Sequence, residues 1–318
     1  MGRVSPIFLY GPTAAGKTAL AIALAKQTDG VVINADSMQL YHDLRVVTAR
    51  PSSSELAQAE HWGFGIIDAS MRWSTKAWLD HAHRLLARAD QQGRQPIFVG
   101  GTGLYHKALT AGLSSIPEPR PSVVNACQAL EMEALKQALF QIDPASAHLQ
   151  DRQRMVRALA VSKESGQPFS YWVKKPLEGA VPDVKTFVLN PDRDQLRDRI
   201  NRRFEEMIAQ GAIEEVRQLA EQKLSPHLPA MRAIGVPELL TFLAGGLSRN
   251  EAIQKAQASS RQYAKRQLTW SRNQMKQAIK LPVKSFNAKE MERNISYMFS
   301  FLDGYGLFGA HCNAVKTN

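Results

Sequence analysis

Near the N-terminus, Gly11, Gly16, Lys17 and Thr18 fit the spacing G-x-x-x-x-G-K-[ST] within the run Gly11-Pro12-Thr13-Ala14-Ala15-Gly16-Lys17-Thr18. The glycines let the backbone wrap a phosphate with several N–H donors, and a helix behind them adds the positive end of its dipole. Lys17 then reaches a terminal phosphate oxygen, and the Thr18 hydroxyl is placed to ligate Mg²⁺. Such a loop needs a strand before it and a helix after it. The apolar run within residues 4–10 and the alanine-rich stretch 19–25 supply both, in that order. The chain therefore binds a di- or triphosphate, and the loop alone does not say which.

Two further turns offer chemistry. The apolar run 31–33 ends in Asn34-Ala35-Asp36-Ser37-Met38-Gln39. A carboxylate just past the C-terminal end of a strand sits where open α/β sheets place their ligands. Asp36 is a candidate for chemistry on that ground, with a helix N-cap or an outer-sphere partner of Mg²⁺ as the alternatives. A strand over 96–99 runs into Gly100-Gly101-Thr102-Gly103-Leu104-Tyr105. This second glycine-rich turn is expected to border the same cleft, and a hydroxyl among three glycines favours a substrate contact at Thr102 over a plain tight turn.

The elements that must position these residues follow from periodicity. Residues 75–91 read as an amphipathic helix with Trp78, Leu79, Ala82, Leu85, Leu86 and Ala89 on one side, and 64–67 as a short strand. A proline-punctuated linker at 116–121 opens a helical stretch. In it Asp143-Pro144 reads as an N-cap, Gly166 as a stop, and Arg152, Arg154 and Arg157 lie close together. Strand character returns at 184–189, before a long helix over 193–209 closed by Gly211. The pattern predicts an α/β protein: a P-loop-type parallel sheet flanked by helices, formed by 1–113 and 183–318, with 114–182 as a helical insertion.

Charge points to a large anionic partner. The chain of 318 residues carries 40 Lys+Arg against 29 Asp+Glu, a net +11, while 44% of it is apolar. A helix beginning near Ala252 leads a stretch, 252–289, with nine basic residues and no acidic one. Arg261, Lys265, Arg272 and Lys276 fall in one helical stripe flanked by Ala264, Leu268 and Met275, with Tyr263 and Trp270 interleaved. That one-sidedness favours a phosphodiester backbone over a merely solvated face. Cys127 and Cys312 form no C-x-x-C pair, so a disulfide framework or zinc module is not expected and a reducing compartment fits. The early first strand leaves no room for a signal peptide, and no apolar run approaches a bilayer's thickness. The expected setting is cytoplasmic.

With these residues assembled, the chain resembles the tRNA dimethylallyltransferases, the isopentenyltransferase family acting on tRNA adenosine. The similarity runs from Ile7 to about Arg272. It rests on the phosphate loop, Asp36-Ser37-Met38-Gln39-Leu40-Tyr41, Gly100 to Tyr105, Asp143-Pro144, and Gln153-Arg154-Met155-Val156-Arg157-Ala158-Leu159. Gly211-Ala212-Ile213-Glu214-Glu215-Val216-Arg217, Ala233-Ile234-Gly235, and the stretch from Tyr263 to Arg272 complete the set. The resemblance implies transfer of a dimethylallyl group from dimethylallyl diphosphate to the N6 amine of the adenosine 3′ to the anticodon, releasing diphosphate. Asp36 would be the general base and Thr102 would hold the amine in line. Residues Gly11, Pro12, Thr13, Ala14, Ala15, Gly16, Lys17 and Thr18, with Mg²⁺ on Thr18 and with Arg217, would bind the diphosphate. The tRNA anticodon stem-loop would meet Asp36, Ser37, Met38, Gln39, Thr102, Gln153, Arg154, Met155, Val156, Arg157, Arg232, Lys265, Arg266, Gln267 and Arg272. A monomeric enzyme without a membrane partner is implied.

The chain departs from the family pattern at Arg50, where lysine is common, at Trp62, near Val124, where Arg120 is the candidate substitute for an arginine, and at Val236. Three other readings share the phosphate loop: an ATP-dependent small-molecule kinase, an isopentenyltransferase using free AMP or ATP, and a nucleotide-dependent RNA-binding switch. None but the last gives a reason for the basic C-terminal stretch.

Overall fold

The computed structural model describes residues 5–303, so Val4 of the first strand run and Cys312 lie outside the described residues. Among the described residues there are eight strands: β1 (Ile7–Tyr10), β2 (Gly30–Asn34), β3 (Glu60–Trp62), β4 (Gln95–Gly100), β5 (Leu113–Ser114), β6 (Leu177–Glu178), β7 (Lys185–Pro191) and β8 (Ile279–Val283). Six of them form one parallel sheet in the order β3-β2-β4-β1-β7-β8. The central strands are continuous apolar runs, as expected when both faces of a parallel sheet are covered. Every residue of β1, β2 and β4 is buried.

The chain divides into two compact units, Met1–Lys107 with Pro182–Asn318, and Ala108–Val181. In the first, the Lys17–Thr28 helix lays Leu20, Ala21, Leu24 and Ala25 on the sheet, and Met298 and Leu302 of the Ala288–Asp303 helix join the same core. The second unit closes around Cys127, Leu135, Leu139, Met155, Val156 and Leu159. These come from the helices Pro121–Gln128, Met132–Ile142 and Arg152–Ser165, and β5 and β6 pair antiparallel in the same unit. Among the described residues, no helix is long and apolar enough to cross a membrane.

Several local expectations change. The strand expected at 64–67 forms instead at Glu60–Trp62, where Val31, Val32 and Ile33 of β2 offer a parallel register; Ile67 makes only an isolated bridge to Tyr41. Asp143 does not open the arginine-bearing helix. Its buried carboxylate accepts from the Ser146 hydroxyl (2.6 Å) and from the Ser170 amide and hydroxyl (2.8 and 2.7 Å), and Asp151 caps the helix. The basic helix starts at Arg249, three residues early, because Ser248 and Glu251 form a capping box. It ends at Gln274, so Lys276 is not on it. The chain then enters β8, an edge strand that tolerates Pro282 because it pairs only with β7.

Candidate active site

The phosphate loop sits beyond the C-terminal end of β1, at the centre of the sheet. Gly16 caps the Lys17–Thr28 helix at φ 86°, a left-handed conformation that a β-carbon would strain. Ala14 packs against Leu196, Ile200 and Ala264, so the loop is wedged between the helices Arg193–Ala209 and Arg249–Gln274. Thr13 through Thr18 line a cavity of about 470 Å³, within the range that holds a small ligand. Gly11 and Pro12 do not face it; Gly11 packs on Leu189, where an added Cβ would come within 3.1 Å. The carbonyls of Gly11 and Pro12 instead accept from Lys17 Nζ at 2.9 and 2.7 Å. Burial pushes the Lys17 ammonium down to about 8; the Asp36 carboxylate opposes that shift and the Arg203 guanidinium adds to it.

Asp36 stands on the same cavity wall, beyond the end of β2. Its backbone is held from both sides by buried Asn34. The Asp36 amide donates to Asn34 Oδ1 at 2.8 Å, and Asn34 Nδ2 donates to the carbonyls of Asp36 and Gly63, each at 3.0 Å. Asp36 Oδ1 accepts the Met38 amide at 3.0 Å; among the described residues Oδ2 has no hydrogen bond. Ser37, Met38 and Gln39 line the cavity beside it. Gln39 Nε2 is committed to the carbonyls of Thr48 and Ala49, at 3.0 and 2.9 Å. Thr102 lies behind Ser37: its Oγ1 accepts the Ser37 amide at 3.0 Å and donates to the Ser37 hydroxyl at 3.3 Å.

The glycines of the second turn serve packing more than ligand approach. A Cβ on Gly100 would lie 2.0 Å from the Ala35 carbonyl oxygen, one on Gly101 would strike Gln267, and one on Gly103 would strike the Trp270 indole. Only glycine lets the ends of β2 and β4 and the Arg249–Gln274 helix converge there. Gln267 is accordingly a correction: expected to touch tRNA, it is 4% exposed. Its Oε1 accepts the Thr13 amide at 2.8 Å and its Nε2 donates to the Gly101 carbonyl at 3.0 Å, tying the phosphate loop to the second turn. Tyr263, one turn earlier, also lines the cavity; burial first and the Asp36 carboxylate next raise its pKa, so its hydroxyl keeps its proton.

Arg217 is exposed and pairs with Glu214 at 3.1 Å, one turn away on its own helix, and does not line the cavity. The arginines that line the cavity are Arg199, Arg203, Arg232 and Arg266, the last two of them exposed. Arg203 Nη1 lies 3.4 Å from Thr13 Oγ1. A signal for Arg203 was present: residues 199, 203 and 207 form the helical row beside the buried row Leu196, Ile200, Phe204 and Ile208. Neighbouring Glu215 holds the 45–47 loop by accepting three backbone amides at 2.7, 2.7 and 2.9 Å. Val47 and Thr48 of that loop line the cavity.

In the other unit, Gln153, Arg154 and Arg157 are exposed, whereas Met155 and Val156, at 1% and 5% exposure, belong to its core and cannot present side chains to a partner. Arg152 is spent on the Gln128 and Leu130 carbonyls. Arg120 pairs with Glu164 at 2.9 Å, and Val124 packs on the same core. Of the basic stripe, Lys265 and Arg272 are exposed, as is neighbouring Arg266, while Arg261 is half-buried on Asn201 Oδ1 at 2.6 Å. Arg50 donates to the carbonyls of Tyr41 and His42 at 3.2 and 3.4 Å, and Gly65 leaves room for its guanidinium. Trp62 lies under Arg88, 4.0 Å away, and Val236 is fully buried.

The cavity thus joins the phosphate loop and its lysine to four arginines and to the carboxylates of Asp36 and Glu55. The family model described as IPP transferase matches residues 39–274, and the one described as isopentenyl transferase matches residues 5–62. The chain belongs to the IPP transferase family. It is 47% identical to a tRNA dimethylallyltransferase of Rhodopseudomonas palustris (strain BisB18), over 86% of this chain and 89% of the relative. Identity to the same enzyme of Rhizobium meliloti (strain 1021) is 45%, over 86% and 93%. Among solved structures, the full-length tRNA isopentenylpyrophosphate transferase of Bacillus halodurans matches with a TM-score of 0.69 at 31% identity, covering 95% of this chain and 98% of that one. A eukaryotic dimethylallyltransferase acting on tRNA matches with a TM-score of 0.79 at 26% identity, covering 95% and 80%. The residues also fit a hard divalent cation: Thr18 and Asp36 both line the cavity with oxygen donors, the ligand type Mg²⁺ prefers.

Proposed function

We propose that this chain transfers a dimethylallyl group from dimethylallyl diphosphate to the N6 amine of the adenosine 3′ to the anticodon in tRNA, as a monomeric cytoplasmic enzyme. The observation that carries the reading is one cavity that joins Lys17, Thr18 and Arg203 to Asp36 in a chain of this family. The diphosphate sits in the loop's amides with Lys17 and Arg203 on its oxygens; Arg203 takes the part first expected of Arg217. Mg²⁺, held through Thr18, would neutralise charge on the departing diphosphate. Loss of an allylic diphosphate is easy chemistry, so stabilising the leaving group and aligning the partners are where the protein contributes.

The amine nitrogen attacks the allylic C1 as the C1–O bond breaks. The electron pair leaves on the diphosphate, and the amine proton passes to Asp36 Oδ2. No strong base is required, because the amine becomes acidic only as the new C–N bond forms. Ser37 and Thr102 hold the base's surroundings, and the adenosine must be splayed from its stack to reach them. Lys265, Arg266, Arg272, Arg154, Arg157, Gln153 and Arg232 are exposed, which supports them as contacts of the anticodon stem-loop. The buried free thiol of Cys127 supports a reducing, cytoplasmic setting.

Incubation with labelled dimethylallyl diphosphate and, in separate arms, tRNA, AMP and ATP tests the proposal. Label in tRNA alone is expected; label in AMP or ATP, or phosphate transfer from ATP, would overturn it. Asp36→Ala is expected to lose at least ~10²-fold in kcat while binding tRNA within a few-fold, since general-base contributions are ~10²–10⁴-fold.

A further inference from the structure

A second cleft, of about 400 Å³, opens beside the C-terminal end of β7 and lies outside the catalytic cavity. Three cations from three separate elements line it. Arg193 begins the Arg193–Ala209 helix, Arg272 lies in the last turn of the Arg249–Gln274 helix, and Lys280 stands on β8 opposite Val188. All three are exposed, and among the described residues none has a carboxylate within 4.0 Å. The carboxylate nearest in the lining, Asp192, is occupied in capping its helix: Oδ1 accepts the amides of Asp194 and Gln195, each at 3.1 Å. The floor is Leu268 and buried Ser271, whose hydroxyl is turned back to the Leu268 carbonyl at 3.0 Å.

We infer that this cleft holds a backbone phosphate of the RNA substrate, through Arg193, Arg272 and Lys280; the inference rests on the tRNA reading above. The three cations outnumber the one carboxylate of the lining, Asp192, so an anion lying among them would offset their mutual repulsion. Long exposed side chains make a poor site for a single free phosphate, because each contact in water contributes little. A polymer already held elsewhere gains much more, since its next phosphate arrives at high effective concentration. That first hold is available on the same helix, where Lys265, Arg266, Thr269 and Trp270 line a separate cleft of about 470 Å³. From Lys265 to Arg272 the helix rises ~10 Å, over which one strand of a duplex presents about three phosphates. Lys265 of the one cleft and Arg272 of the other are seven residues apart and share one stripe of that helix.

The test measures affinity of the full-length protein for an anticodon stem-loop RNA across a salt series, with wild type, Lys265→Gln, the double variant Arg193→Gln/Lys280→Gln, and Lys280→Arg. Loss of the one phosphate contact is expected to lower the slope of log K against log salt by about 0.7–0.9, and Lys280→Arg is expected to keep the wild-type slope. The loss should appear in RNA affinity, with circular dichroism reporting an intact fold. An unchanged slope in the double variant, with Lys265→Gln reducing it, overturns this inference and leaves the tRNA reading standing. A wild type that does not bind RNA overturns both. A parallel titration with inorganic phosphate and diphosphate separates the remaining source: if the double variant loses these anions yet keeps RNA, the cleft is a small-anion site and the inference fails.

Discussion

Titrating Lys17 isolates what its ammonium does for the diphosphate. Burial brings its pKa down from 10.5 to about 8, with Asp36 opposing and Arg203 reinforcing the fall. With that value the charged fraction drops from roughly nine-tenths at pH 7 to about one-tenth at pH 9. If only the charged form receives the diphosphate, KM for dimethylallyl diphosphate rises about tenfold over those two units. A bound polyanion draws the proton affinity back up, so kcat at saturation should hold through the same window. The assay is initial rate against dimethylallyl diphosphate at saturating tRNA and constant ionic strength, from about pH 7 to 9.5. Lys17→Arg stays charged throughout that range, so its KM should be flat even where its absolute value is poorer. A flat wild-type KM, or a wild-type slope shared by Lys17→Arg, refutes the reasoning. The same shift has a definite sign for stability. The folded pKa lies below the unfolded one, so between about 8 and 10.5 the unfolded chain binds more protons and this residue's contribution to stability rises with pH. A ligand-free Tm series comparing wild type with Lys17→Met should show that difference.

Three further outcomes follow from the site. Arg203→Gln is expected to lower kcat/KM for dimethylallyl diphosphate by ~10²-fold or more, while Arg217→Gln stays within a few-fold; equal effects would return Arg217 to the diphosphate. Asn34→Ala removes the clamp on the Asp36 backbone, so kcat should fall with KM for the diphosphate nearly unchanged, and a KM-only effect would contradict it. Gly100→Ala forces a Cβ to 2.0 Å from the Ala35 carbonyl, so a fall in stability of ~2 kcal/mol or more is expected, read as a lower urea midpoint at constant m.

Helices whose signals are local could be read from the sequence. Thr75–Gln91 and Arg193–Ala209 match the expected bounds because their amphipathic rows and end residues lie within one segment. The basic helix's start is equally local, in the capping box of Ser248 and Glu251. Strands over short apolar runs are different, because a partner decides them. Residues 60–62 become β3 through the register β2 provides, and 279–283 becomes β8 only beside β7.

The site divides along the same line. The phosphate loop and Asp36 announce themselves by spacing and by position after an apolar strand, since their chemistry requires a fixed local backbone. Sequence likewise determined the family and the net positive charge. Which arginine faces the cavity was decided by packing: Arg203 is brought over the loop because the row beside it is buried, while Arg217, eligible by type, is left on solvent. Gln267 reads as one more polar residue in a basic stretch until the helix docks, and then it is buried and bonded to Thr13 and Gly101. Met155 and Val156 lie among exposed arginines in the chain yet turn into a core, because successive helical residues point about 100° apart. Residue types and spacing are covalent facts and survive in the sequence; burial and the choice among like charges arise only when distant segments compete for the same space.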